Sequence, residues 1–268
     1  MSSLKLRTLS GIVFVLLITG CIFIHPILFF ALFSLIEFVA LTEYVNMCNR
    51  VNIRPNRFFV YVSGFLIFTS GFLDFHFGFK FTYALALISI SAMYITELYL
   101  KSENGLQNIA MGLFGILYIS LPFTLFFYFP GNFLGNWNPK LVFLPFLMIW
   151  INDTFAYIFG VSFGKHRLFP SVSPKKSWEG AVGGGMTTLI IAYFIAPFTE
   201  LCTWKILAIG LIAVVFGTFG DLIESMMKRS TGIKDSGNII PGHGGILDRI
   251  DSVLFTVPAI FIFLIFSR

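Results

Sequence analysis

The sequence predicts an all-α, polytopic integral membrane protein, and three observations predict it. Hydrophobic residues make up 57% of the chain and Phe alone occurs 35 times, with a mean hydropathy of +0.87. A soluble core could not hide that much apolar surface. Charged residues are only 12% of the chain and collect in the segments between apolar runs. The runs approach the roughly 20 residues that a helix needs to cross hydrocarbon, which gives about nine spans. They are helical because an open strand edge cannot be satisfied in lipid.

The first run, 10–24, follows Lys5 and Arg7 and has the shape of a signal peptide; "ITGC" even resembles a lipoprotein cleavage box. Apolar sequence resumes at once with "IFIHPILFF", so it is read as a retained span. The second run, 26–45, starts after His25, which is read as an interfacial turn, and carries Glu37 and Glu43 towards its end. Pairing or snorkelling accounts for such carboxylates, though Glu37 lies deep enough to be a functional candidate. Runs 58–73, 81–100 and 109–129, with Glu97 near the end of the fourth, complete a first region, 1–140, read as scaffold. Runs 141–162, 180–199, 204–222 and 252–267 belong to a second region, 141–268. Its two long loops, Phe163 to Gly185 and Glu224 to Ser252, carry Gly, Pro, Ser and paired charges. The chemistry is therefore expected after Trp150, and no internal repeat or low-complexity tract appears.

The net charge of +5 raises nucleic-acid binding, but no basic cluster stands clear of the spans, so topology explains it better. With the N-terminus inside, only Lys80, Lys140, Lys205 and Arg268 of the 18 basic residues fall outside. That asymmetry follows the positive-inside rule and places both long loops in the cytoplasm. Cys21, Cys48 and Cys202 are scattered, without CxxC spacing, and are read as buried small hydrophobes rather than as disulfide or zinc ligands.

Four aspartates lie at span edges beside the loops: Asp153, Asp221, Asp248 and Asp251. Asp248 and Asp251 are three apart, hence on one face of a helix, with Arg249 turned aside. Carboxylates so placed repel one another unless a cation lies between them, and hard oxygen ligands suit Mg²⁺. The alternative is capping in the first turn of the last span, which explains one aspartate readily and two plus Asp221 poorly. Lys175, Lys176 and Ser177 in one loop, and Lys228, Arg229 and Lys234 in the other, offer donors to phosphate oxygens. Attraction to anionic headgroups explains the lysines singly but not the carboxylates interleaved with them. Gly242, Gly244 and Gly245 around His243 let backbone amides approach a ligand, and the start of the last helix adds its positive end. His243 is either an acid–base group or a plain donor to phosphate. "GAVGGG" at 180–185 suits close helix packing better than a nucleotide cradle, and neither a Walker nor a Rossmann context is present. Cations, acidic metal ligands and glycines together indicate phosphoryl or nucleotidyl transfer.

These residues resemble the phosphatidate cytidylyltransferases, or CDP-diacylglycerol synthases. The family's C-terminal pattern runs Ser-x-apolar-Lys-Arg, four residues, Lys-Asp, a small residue, then His-Gly-Gly-apolar-x-Asp-Arg-apolar-Asp. Here it reads Ser225, Lys228, Arg229, Lys234, Asp235, Gly237, Ile240, Pro241, His243, Gly244, Gly245, Ile246, Asp248, Arg249, Ile250 and Asp251, with every fixed position met. The loop from Asn152 to Gly180 is similar to the family's upstream segment, apart from Phe155, where relatives carry a small residue. The motifs cover the chain from about Trp150 onward. The resemblance implies a Mg²⁺-dependent enzyme of a bacterial-type plasma membrane, with a second cation left open. Its site would face the cytoplasm, join CTP to phosphatidic acid and release pyrophosphate, in a homodimer that binds no nucleic acid. It further implies Asp221, Asp248 and Asp251 at the metal, with Asp153 behind them. Lys228, Arg229 and Arg249 would act on the transferring group, and Lys175, Lys176, Ser177, Ser225, Lys234, Asp235, His243, Gly244 and Gly245 would bind substrate.

Rival readings are a CDP-alcohol phosphotransferase, whose ordered aspartates on one helix are not found here, and a CTP-dependent lipid kinase. An ion-coupled transporter is a rival from another class. Transporters place their polar residues near the midplane in paired repeats, whereas here they cluster in loops on one side.

Overall fold

The computed structural model describes residues 3–129, 136–239 and 244–267. The helices are α1 (Ser3–Ile24), α2 (Pro26–Arg50), α3 (Arg57–Phe77), α4 (Thr82–Leu100), α5 (Gly105–Gly115), α6 (Leu121–Leu125), α7 (Pro139–Phe163), α8 (Trp178–Ile195), α9 (Thr203–Ser230) and α10 (Leu247–Phe266). A π-helical turn, Ile116–Ser120, joins α5 to α6, so Gly105–Tyr128 forms one continuous span. Eight of these stretches are long and apolar enough to cross a membrane, and Thr8–Ile24 is a shorter apolar helix. At about 17 residues that stretch lies at the lower limit of a crossing. The expected polytopic all-α architecture is what the chain adopts. Its one sheet among the described residues is a short antiparallel hairpin, β1 (Arg167–Phe169) with β2 (Ser173–Ser177), in a segment expected to be loop.

Local chemistry sets the helix ends. The His25 side chain accepts the Ile27 amide at 3.2 Å, and Pro26 takes the first helical position of α2, where its missing amide costs nothing. Asn56 caps α3, and Gly78 ends it in the left-handed conformation at φ 71°.

Two compact units divide the chain: Met1–Asn138 with Ser230–Ile250, and Pro139–Arg229 with Asp251–Arg268. In the first, the many phenylalanines pack on each other. Phe29 stacks on Phe33 with centroids 4.2 Å apart, Phe33 meets Phe123 edge-on at 5.1 Å, and Phe68 lies 5.5 Å from Phe127. Lipid tails are as apolar as these rings, so close packing rather than exclusion from water holds such helices together.

In the second unit the small residues of "GAVGGG" do the packing. A Cβ on Gly184 would sit 2.7 Å from the Asn152 carbonyl and 2.9 Å from the Ala156 Cβ, so α8 lies directly against α7. These glycines leave no cradle for a nucleotide. In the same unit, a Cβ on Gly220 would meet the Asp251 carbonyl at 2.7 Å. The backbones of α9 and α10 therefore touch where the acidic residues are.

Candidate active site

Close contact at Gly220 brings its neighbour Asp221, on α9, into the company of Asp251, on α10. Asp251 is 8% exposed, its Oδ1 accepts the Ser252 amide at 2.6 Å, and its charged neighbours include Asp221, Asp153 and Lys228. The Asp221 carboxylate is held from two sides. Its Oδ1 accepts the Ser225 hydroxyl at 3.2 Å and its Oδ2 pairs with Lys176 Nζ at 2.5 Å. One turn further along α9, Lys228 forms an ion pair with Glu224, which is fully buried. Asp153 lies on α7 and is exposed.

The hairpin aims Lys176 at this cluster. Register pairs Arg167 with Ser177 and Phe169 with Ser173, and the Trp178 amide donates to the His166 carbonyl at 2.9 Å. His166 is tied in turn to Glu179 through its ring Nδ1 at 2.6 Å and its backbone amide. Successive side chains on a strand point to opposite faces, so Lys176 turns to Asp221 while Lys175 stays exposed. The expected lysine pair is therefore split by the pleat.

Two of the groups expected to meet substrate have partners within the protein. Ser177 was expected to bind substrate, but it is 3% exposed and its hydroxyl accepts the Gly180 amide at 3.2 Å as the N-cap of α8. A polar residue before an apolar helix is drawn to that position because the first-turn amides have no partner. The start of α10 was expected to offer its amides to phosphate. In the structure the Ile246 and Leu247 amides go to Glu43 at 3.0 and 2.9 Å, and just before the helix the Gly245 amide donates to Asp248 Oδ2 at 2.9 Å.

Arg229 is exposed at the end of the second unit's α9 segment, and the motif residues from Lys234 to Ile250 belong to the first unit. Lys234, Asp235 and Arg249 are exposed, and Gly244 adopts φ 86°, a conformation that favours glycine. His243 lies outside the described residues. Asp248 Oδ2 accepts both the amide and the hydroxyl of Ser236 at 3.0 Å, so it binds the loop that precedes α10. Sequence reasoning missed Glu224 and Glu43. Glu224 had a signal, since it stands three residues after Asp221 and four before Lys228, on their face of the helix. Glu43 had none, because its partners are some 200 positions away.

A donor set of aspartates suits a hard divalent cation. Among the described residues no group of three His, Cys, Asp or Glu forms a ready-made metal cage, but Mg²⁺ usually takes one or two carboxylates and completes its shell with water and substrate phosphate. Asp221 already holds a positive charge, the Lys176 ammonium, on Oδ2. Asp221 and Asp251 together fit that requirement.

Fold and site together define a polytopic membrane protein that gathers carboxylate and ammonium groups at the junction of α9, α10 and the hairpin. The profile described as "Cytidylyltransferase family" matches residues 5–267, and the chain belongs to that family. It is 32% identical over 272 residues to a phosphatidate cytidylyltransferase of Staphylococcus aureus (strain COL), covering 98% of this chain and 100% of that protein. To the phosphatidate cytidylyltransferase of Staphylococcus saprophyticus it is 34% identical over 269 residues, with 98% and 99% covered. The protein of that name from Staphylococcus haemolyticus is 33% identical over 268 residues. The likeness thus reaches well into the first region, beyond the segment after Trp150 that carries the motifs.

Proposed function

We propose that this chain is a CTP:phosphatidate cytidylyltransferase, transferring CMP from CTP to phosphatidic acid to give CDP-diacylglycerol and pyrophosphate. The Lys176–Asp221 ion pair carries the reading, because it joins the two motif-bearing segments in one site of mixed charge.

The lipid phosphate is the nucleophile. Its second pKa is near 6 for a phosphomonoester, so it is largely ionised at neutral pH and needs no strong base. A phosphate oxygen attacks the α-phosphorus, a new P–O bond forms, the α–β bridge breaks, and pyrophosphate leaves with the electron pair. The difficulty is repulsion between two polyanions, and catalysis then consists of neutralising and aligning them. Lys176 and Lys228 supply ammonium groups next to Asp221 and Asp251. Lys175, Arg229 and Lys234 are exposed cations that draw the triphosphate and the headgroup, and Arg249 is assigned to the transferring group. Asp221 and Asp251 would hold Mg²⁺, which when bound neutralises phosphate oxygens, and Asp248 is assigned to the metal by the sequence motif it shares with Asp251. Asp153 supports them from α7. Ser225 fixes Asp221 through its hydroxyl, so its part in binding is indirect.

The site is assigned to the cytoplasmic side, where CTP is available, while the acyl chains stay in lipid. A homodimer belongs to the same reading and is checked by the mass of the detergent-solubilised protein. The decisive experiment supplies α-labelled and γ-labelled CTP separately, with phosphatidate and Mg²⁺. The α-label should enter the lipid and the γ-label should appear as pyrophosphate. γ-Label in the lipid would establish a kinase instead, and no lipid labelling with any phosphatidate would remove the assignment.

A further inference from the structure

Glu43, near the end of α2, is 4% exposed although it is a carboxylate. Its Oε1 accepts the Ile246 amide at 3.0 Å, and its Oε2 accepts the Leu247 amide at 2.9 Å and the Ser236 hydroxyl at 2.8 Å. The same hydroxyl stands 3.0 Å from Asp248 Oδ2, so one serine proton is shared between two carboxylates. Asp248 Oδ2 also accepts the Ser236 and Gly245 amides. The arrangement is tight: a Cβ on Gly237 would collide with Glu43 Oε1, and one on Gly245 would collide with Glu43 Oε2 and the Ser236 hydroxyl.

The first amides of a helix have no partner inside it, and a cap is ordinarily supplied by a residue adjacent in sequence. Here a carboxylate from another helix takes two of them, with charge-assisted bonds and a favourable helix dipole. We propose that Glu43 is a positioning residue for cytidylyl transfer. Its carboxylate clasps the loop at Ser236 to Ile246 and Leu247 at the start of α10 and, through the Ser236 hydroxyl shared with Asp248, fixes the direction in which Asp248 presents its carboxylate. Glu43 itself touches no substrate. The inference rests on the reading of Asp248 as part of the transfer site.

The test substitutes Glu43→Gln in the full-length protein. Glutamine keeps the shape, but it has one acceptor oxygen, and its NH₂ faces an amide that must donate. Hydrogen exchange of the Ile246 and Leu247 amides should rise at least about tenfold, while α7 and α8 keep wild-type protection. Turnover should fall about 10–100-fold, the range for residues that orient a metal-binding group, with the KM for CTP within about twofold and the Mg²⁺ concentration for half-maximal activity raised. Ser236→Ala, which removes only the shared hydroxyl, should move each readout in the same direction by less, and it decides the matter if Glu43→Gln does not fold. Unchanged exchange at 246–247 overturns the clasp. Raised exchange with wild-type turnover overturns the positioning role and leaves the reaction assignment standing. A wild-type protein that labels no lipid removes the reaction assignment instead, and the exchange measurement then stands by itself as the test of the clasp.

Discussion

Replacing Lys228 by Met should destabilise the protein far more than an ordinary surface change. Its ammonium pairs with Glu224, whose side chain is 0% exposed, and is itself only 9% exposed. It also acts on Asp251, another buried carboxylate. Removing one partner of a buried pair leaves a charge without compensation and costs about 3–5 kcal/mol. At about 2–4 °C per kcal/mol for chains of this size, the melting temperature should fall by roughly 6–20 °C. The assay is size-exclusion chromatography of detergent-solubilised protein after heating through a temperature series. Glu224→Gln combined with Lys228→Met should recover a sizeable part of the loss, because the double variant buries no lone charge. Its remaining deficit should be about 1–3 kcal/mol for an unsatisfied amide. Turnover should stay low in both, since neither supplies the cation assigned to phosphate. A Lys228→Met protein melting within about 1 °C of wild type, outside the range for breaking a buried pair, would refute the argument. So would a double variant no more stable than the single one.

The pleat of β2 predicts unequal lysines: Lys176→Ala should lower kcat/KM for CTP by about tenfold or more, as for a lost charged hydrogen bond, and Lys175→Ala by no more than about threefold. Comparable losses would mean that the strand does not sort them. Ser177→Ala should cost about 0.5–2 kcal/mol as a lost cap with the KM for both substrates unchanged; a large rise in KM would return Ser177 to substrate binding. Gly184→Ala forces a methyl against the α7 backbone and should cost about 1–3 kcal/mol by overpacking, which a thermal-inactivation series will report. In a background lacking Cys21, Cys48 and Cys202, Ser171→Cys should react with an impermeant thiol reagent only from the cytoplasmic side and Asn136→Cys only from outside. Reversed labelling would overturn the assigned orientation.

Much of this protein is legible one segment at a time. Span positions follow from composition alone, because a helix in lipid satisfies its own backbone whatever lies beside it. Helical periodicity likewise makes Asp221 with Ser225, and Glu224 with Lys228, neighbours before any fold is known. Ser177 before an apolar run carries a capping signal too. Its neighbouring lysines carry a competing signal for phosphate, and the unpaired first-turn amides of α8 take its hydroxyl.

What no segment encodes is which helices meet. Asp221 meets Lys176 because the hairpin returns to α9, and it lies near Asp251 because Gly220 lets α9 lie on α10. Glu43 reads in sequence as an unremarkable carboxylate at the end of a span, yet tertiary contact makes it the acceptor for the first amides of α10. The sequence by itself therefore determined the spans, the motif and the chemical class, all of which depend on residues within a few turns of one another. Only the tertiary structure decided that Asp221 meets Lys176 and that Glu43 meets the start of α10, since a charge's partner depends on distances across helices that local spacing does not fix.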